Sequence, residues 1–236
     1  MFVKSIKMAQ KAIFPIFRIE PVIPTGANVG VAGTGFFIND SGYFSTVAHV
    51  FDGKTDSTKF LFAGFLPDNV RNPRLEIEEV SRNDEFDLLI GKVKNLEKND
   101  FVKLANTMPD IGRSICISGY PLATIMPNNQ GGLEVGGVRR YFQPTFVLDK
   151  IRVKSNNGVG KIRQHDGFLI RDVGLFGMSG GPVFDVDGIV VGIQGSITDP
   201  RVSQNAAGRT IAVENAVAIK SELVIDLANK SKVKLG

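Results

Sequence analysis

Gly177-Met178-Ser179-Gly180-Gly181-Pro182 sets one hydroxyl among glycines, directly before the apolar pair Val183-Phe184. Glycine lets a backbone curl tightly enough for successive N–H groups to point at one spot. A serine there can attack a carbonyl while those N–H groups hold the oxyanion that forms. Such chemistry needs a base to take the serine proton and an acid to orient the base.

The chain has two histidines, His49 and His165, and both precede Ser179. The turn also matches the G-x-S-x-G nucleophile elbow of the α/β-hydrolases, but there the histidine follows the serine. No histidine follows Ser179, so that reading fails. The order His, Asp, Ser is instead met by His49, in Thr46-Val47-Ala48-His49, by Asp87, in Phe86-Asp87-Leu88-Leu89, and by Ser179. Histidine is the side chain that most readily changes protonation near neutral pH, and His49 is the candidate base. Asp87 heads an apolar run and is preferred over its neighbour Asp84. Gln164-His165-Asp166-Gly167 reads as a turn without a catalytic part.

Four motifs in this order resemble the trypsin-like serine protease family: Gly33-Thr34-Gly35-Phe36, Thr46 to His49, Phe86 to Leu89, and Gly177 to Pro182. The resemblance covers roughly residues 13–220 and is closest in flavour to the protease domain of the Deg, or high-temperature-requirement, proteases. It implies an all-β fold of two six-stranded antiparallel barrels, chymotrypsin-like, with His49 and Asp87 from the first and Ser179 from the second. It also implies a serine endopeptidase working through an acyl-enzyme, with an oxyanion hole made by the N–H groups of Gly177 and Ser179. The substrate pocket would be walled by Val173 to Phe176 and by Ile193, Gln194, Gly195 and Ser196, with a floor near Ile211 to Val213. None of these residues is acidic, so a Lys or Arg side chain would enter without a counter-charge, at a desolvation cost. Cleavage after small or medium apolar residues is expected. Where trypsins carry an activating aspartate just before the nucleophile, this chain has Met178. Activation by an ion pair with a new N-terminal amine is therefore not expected.

Composition agrees with a packed enzyme. The chain has 236 residues, 43% apolar, with 17 phenylalanines and no tryptophan. That is enough for one or two cores filled largely by phenylalanine. One cysteine, Cys116, lies in the apolar run Ile115-Cys116-Ile117 and reads as a buried structural thiol. Lysines interrupt the apolar residues of Met1 to Lys11, which argues against a signal peptide and for a cytoplasmic protein without membrane association. The net charge is +4, and between residues 139 and 171 cations outnumber acids eight to two. Ile151-Arg152-Val153-Lys154 alternates as a half-exposed strand does, so a solvated hairpin face is preferred there over a nucleic-acid surface. Gly30 to Gly35 lacks the Lys-Ser/Thr of a phosphate loop. Asp185-Val186-Asp187-Gly188 is a hairpin turn rather than a calcium loop. No cluster of His and Cys could hold a transition metal, and no cofactor is expected. Two further readings stay open: a protease-fold binding module without turnover, and nucleic-acid binding through the 139–171 face.

The elements that must position the site are short strands between glycine-rich turns. A short helix ends near Ala12, and strands follow at Phe14 to Ile19, Phe36 to Ile38, Tyr43 to Val47, Lys59 to Phe65, Leu75 to Val80 and Leu88 to Val93. The first barrel spans about residues 13–95. After the polar stretch 95–100, strands at Arg113 to Ser118, Tyr141 to Val147, Lys150 to Val153, Phe168 to Ile170, Val183-Phe184 and Ile189 to Ile193 build a second barrel over about 102–220. Thr210 to Val213 reads as its last strand. A helix over about 221–232, with Ser221 as N-cap, closes the chain. Loops 128–137 and 155–160, rich in glycine and asparagine, are the expected mobile elements on which a regulatory partner or ligand would act.

Overall fold

The computed structural model describes the chain apart from residues 23–25, 64–73, 97, 122–123, 128–132, 137–138, 157–161, 199–200 and 205–209. Helix α1 (Val3–Ala9) runs through a 3-10 turn (Gln10–Ala12) into the first barrel. That barrel is made of β1 (Ile13–Val22), β2 (Gly26–Phe37), β3 (Tyr43–Val47), β4 (Lys59–Ala63), β5 (Arg74–Asn83) and β6 (Leu88–Val93). Its strand order, β1-β2-β3-β6-β5-β4, closes because β4 pairs back onto β1.

The second half contains β7 (Ser114–Gly119), β8 (Thr124–Pro127), β9 (Leu133–Gly136), β10 (Tyr141–Asn156), β11 (Ile162–Ile170), β12 (Pro182–Asp185), β13 (Val190–Ile197), β14 (Arg201–Gln204), β15 (Thr210–Val213) and β16 (Ala216–Lys220), followed by helix α2 (Glu222–Lys230). Six of these strands form the second ring, β10-β11-β16-β13-β12-β7. The architecture is the all-β, two-barrel arrangement that the sequence motifs imply.

The differences from expectation are local. Thr210–Val213 is not a barrel strand: among the described residues it pairs only with Arg201–Gln204, in a separate hairpin. The strand that closes the second ring is β16, which joins β11 to β13. The two strands expected at Tyr141 to Val153 are one long β10, bent where its register to β11 shifts between Val147 and Asp149. Gln164 to Gly167 is not a turn but part of β11. In the loop expected over 128–137, Leu133–Gly136 pairs with Thr124–Pro127; in that over 155–160, Ser155 and Asn156 end β10. The other residues of both loops lie outside the described residues. Ser221 precedes α2 as expected, but its hydroxyl does not cap the helix; it donates to the Ala105 carbonyl oxygen at 2.7 Å. That bond ties the last strand and helix to the segment linking the barrels.

Phenylalanines do fill the interior. Phe14, Phe17, Phe36, Phe37, Phe44, Phe51, Phe168 and Phe184 are among the largest fully buried side chains. Phe14 meets Phe37 at 4.6 Å and, edge-on, Phe44 at 5.2 Å between ring centroids, the geometry that aromatic quadrupoles favour. A second cluster, including Ile115, Ile117, Phe168, Ile170, Met178 and Val183, fills the second barrel.

Cys116 is fully buried, and loss of solvation pushes its thiol up to about 12. At pH 8 the reactive thiolate is then only about one part in ten thousand. The native protein should leave a maleimide probe unreacted at pH 8, and one equivalent should react once denaturant unfolds it. Fast labelling without denaturant would contradict this placement.

Candidate active site

Asp87 sits at the end of the turn joining β5 to β6, with φ +57°. Aspartate tolerates this left-handed conformation better than most residues, and here it turns the chain back toward the 3-10 turn Ala48–Phe51 that carries His49. Three hydrogen bonds lock the two segments. Ala48 N–H donates to the Asp87 carbonyl at 3.0 Å, His49 N–H donates to Asp87 Oδ1 at 3.0 Å, and His49 Nδ1 lies 2.8 Å from Asp87 Oδ2. A carboxylate can only accept, so the imidazole proton belongs on Nδ1 and Nε2 is left with its lone pair. Asp87 is 3% exposed and His49 partly open. Asp84, the rival acid, pairs with Arg82 instead.

Gly177 (φ +92°) and Gly180 (φ +86°) bracket Met178-Ser179 in conformations that L side chains rarely adopt. The turn is held from three sides. Met178 is fully buried in the second core cluster. On β13, Gln194 accepts from Gly180 N–H at 2.8 Å and donates its own N–H to the Gly181 carbonyl at 2.9 Å. From the first barrel, Thr34 on β2 donates its hydroxyl to the Gly177 carbonyl and its backbone N–H to the Ser179 carbonyl, both at 2.8 Å. The Thr34 hydroxyl in turn accepts from Tyr120 N–H at 3.0 Å. With these bonds made, the N–H groups of Gly177 and Ser179 donate to nothing among the described residues, as an oxyanion hole requires.

The two segments converge on Gly33. A Cβ there would lie 2.5 Å from Val50 Cγ2, next to His49, and 2.7 Å from the Ser179 carbonyl oxygen. Ser179 is partly buried, and among the described residues its hydroxyl makes no hydrogen bond. Such contacts commonly tighten only when substrate arrives. The wider surroundings form a groove of about 480 Å³ lined by His49, Val50, Val29 to Ala32, Arg18, Glu20 and Phe176. A larger cavity, about 600 Å³, lies along Leu104 to Asp110 and Asp185 to Val191; no histidine or hydroxyl activated by a base lines it, so the chemistry points to the groove.

Of the pocket residues expected from the sequence, Val173 and Phe176 are exposed, Phe176 by 92%. Gly174 packs so closely on Gln194 that a Cβ would meet Cδ at 2.9 Å. Gln194 and Gly195 are buried, Ser196 is exposed, and Ile193 lies wholly inside the first core cluster. The side chains of Ile211 to Val213 fall outside the described residues. Two residues escaped the sequence reading. Thr34 stood in a quoted motif without a role. Arg163 counted only as a surface cation, yet it is 14% exposed and its guanidinium lies 3.0 Å from Asp87 Oδ1.

The cations of the 139–171 face are largely engaged. Lys150 pairs with Asp110, Arg152 with Asp166, and Arg171 lies over the Phe146 ring. His165 is buried on β11 near Asp87 and Arg163; burial holds its pKa below the ordinary value, opposed by the Asp166 carbonyl.

A base whose folded pKa is depressed binds its proton better in the unfolded chain. Its contribution to stability is therefore intact above the unfolded value, about 6.5, and is lost as pH falls below it. Thermal unfolding should show stability declining from pH 7 to pH 5.5, and His165→Gln should flatten that decline; an unchanged slope would remove His165 from the cause. Thr34→Val keeps the backbone bond to Ser179 but loses the hydroxyl donor and leaves the Gly177 carbonyl and Tyr120 N–H unpaired. It should lose about 1–3 kcal/mol of stability and slow fluorophosphonate labelling of Ser179 by roughly tenfold to a hundredfold, whereas Thr34→Ser should retain both.

Comparison with known proteins identifies the family and the fold. Residues 33–193 match the family model described as a trypsin-like peptidase domain. The chain is 25% identical over 232 residues to a probable periplasmic serine endoprotease, DegP-like, of Bartonella henselae; the match covers 98% of this chain and 38% of that protein. The chain thus spans less than half the length of this curated relative. Among solved structures it is similar to the active form of the Rv3671c protease from M. tuberculosis, with TM-score 0.68 and 20% identity over 98% of this chain and 85% of that one. It is also similar to the HtrA-type protease AlgW with a decapeptide, with TM-score 0.67 and 17% identity over 98% and 67% of the two chains. The match spans well over half of the sequence and includes His49, Asp87 and Ser179, and the chain belongs to the trypsin-like peptidase domain family.

Proposed function

We propose that the protein is a serine endopeptidase in which Ser179 is the nucleophile, His49 the general base and Asp87 the acid that orients it. The observation that carries the reading is the His49 Nδ1 contact to buried Asp87, 2.8 Å long, opposite a glycine turn with two uncommitted N–H groups. His49 Nε2 takes the Ser179 proton as Oγ attacks the scissile carbonyl. Asp87 accepts from Nδ1–H and steadies the imidazolium without itself becoming protonated. The developing oxyanion takes the N–H groups of Gly177 and Ser179. The imidazolium then protonates the leaving amine, and a water deprotonated by His49 hydrolyses the acyl-enzyme.

The preference for apolar residues on the acyl side belongs to the same proposal. Val173, Leu175 and Phe176 put apolar surface before the oxyanion turn, and the segments 173–176 and 193–196 contain no acid. Control is part of it too. Met178 is anchored by burial in place of an ion pair, so regulation falls to a partner or ligand acting on loops 128–137 and 155–160 rather than to a new terminal amine.

Fluorophosphonate labelling followed by a peptide-library profile tests the reading. Ser179 should label. Ser179→Ala and His49→Ala should each lower turnover by about a million-fold, and Asp87→Asn by about ten-thousand-fold, while Asp84→Asn should stay near the parent. Cleavage should follow apolar residues. A folded protein whose Ser179 does not label is a binding module instead, and a strong preference for Lys or Arg would overturn the specificity.

A further inference from the structure

Asp87 forms an ion pair with the barrel that does not carry it. Arg163, on β11 of the second barrel, reaches across to place Nη2 3.0 Å from Asp87 Oδ1, the oxygen that also accepts from His49 N–H. The contact is built into the interface: Gln164 N–H, one residue on, donates to the Glu85 carbonyl of the turn before Asp87 at 3.1 Å. A cavity of only about 20 Å³, lined by Asp87, Arg163, His165 and Ser196, lies beside the pair, and with side chains 14% and 5% exposed the two charges are little screened by bulk water.

The surrounding charges leave Arg163 assigned to Asp87. From β5 and the turn after it, Arg82 pairs with both Asp52 and Asp84. On the open side, Arg18 and Glu20 of β1 pair with each other. Asp52 is 3.6 Å from the same Arg163 nitrogen but already has Arg82. His165, from the strand of Arg163, is biased by burial toward its neutral form and brings no second cation. Asp52 and Asp84 share Arg82, and Glu20 has Arg18; the arginine of Asp87 is Arg163.

We infer that Arg163 is a positioning residue for the proposed Ser179-His49-Asp87 machinery, holding the acid from the second barrel and offsetting part of its charge. Two consequences follow from electrostatics. Removing the Arg163 charge would leave Asp87 a stronger partner for a protonated His49. The same ion pair helps to hold in place the carboxylate that orients the ring.

The inference rests on the reading of the triad, and the test separates the two. The pH dependence of Ser179 labelling by a fluorophosphonate is recorded for the parent, Arg163→Gln and Arg163→Lys, each checked for folding by thermal unfolding. Glutamine removes the charge, and the acid limb should rise by about one pH unit, a tenfold slower reaction below the limb. Lysine restores the charge, and its limb should return to that of the parent. A merely structural ion pair would lower the unfolding temperature and leave the limb in place; superimposable Arg163→Gln and parent profiles, or equal shifts in both variants, overturn the inference. Should Arg163→Gln not fold, NMR of the arginine-labelled parent decides: the Arg163 guanidinium signals should titrate with the midpoint of the acid limb, and signals blind to that midpoint overturn it. If His49→Ala labels as fast as the parent, the triad reading itself fails, whatever Arg163 does.

Discussion

Two closed barrels have no free sheet edges to pair with one another, so whatever aligns them must come from side chains and from backbone groups spared by the ladders. Thr34 supplies both. Its N–H and its hydroxyl close on carbonyls two residues apart, at Gly177 and Ser179, so that one residue of the first barrel sets the height and the tilt of a turn in the second. The Thr34 carbonyl is itself held by the Thr46 hydroxyl at 2.8 Å, and Thr46 lies three residues before His49. A single polar residue thereby refers the Ser179 turn and the His49 turn to a common point.

Burial completes what these hydrogen bonds begin. Met178 points into the second core while the N–H groups of its neighbours Gly177 and Ser179 find no acceptor among the described residues. Reversing the turn would bring a thioether into water and bury polar backbone, and both changes are unfavourable. Gly119 makes room for it: a Cβ there would lie 2.8 Å from Met178 Cα. Tyr120, adjacent to Gly119, donates its hydroxyl to the Ile13 carbonyl at 3.0 Å. The same short segment thus seats the Ser179 turn and grips the first strand of the other barrel.

Much of this was legible in the sequence because motif residues work through their neighbours. The glycines at 177 and 180 announce a turn, and the apolar run after Asp87 announces a strand, whatever lies elsewhere in the chain. What sequence could not show is partnership across the fold. Arg163 stands in the polar run Arg163-Gln164-His165-Asp166, and nothing local distinguishes a side chain that reaches water from one that reaches Asp87. Ala216–Lys220 went unread because it is short and runs straight into α2, while Thr210–Val213, with a stronger β pattern, forms an outlying hairpin. Ser221 looked like a helix cap because serines commonly are; its hydroxyl was taken by Ala105, a tertiary claim that overrides the local one.

The division of the site between barrels has a bearing on how such a chain survives its own synthesis. With His49 and Asp87 on the first barrel and Ser179 on the second, neither half alone holds both nucleophile and base. The Thr34 bonds that shape the serine turn exist only after docking, as does the Arg163 bond to Asp87. A chain emerging from the ribosome completes its first barrel while its second is still an extended, cleavable polypeptide. On the proposed mechanism that half is harmless, and cutting power arises only when the last strands have closed and the vulnerable segments are already folded away.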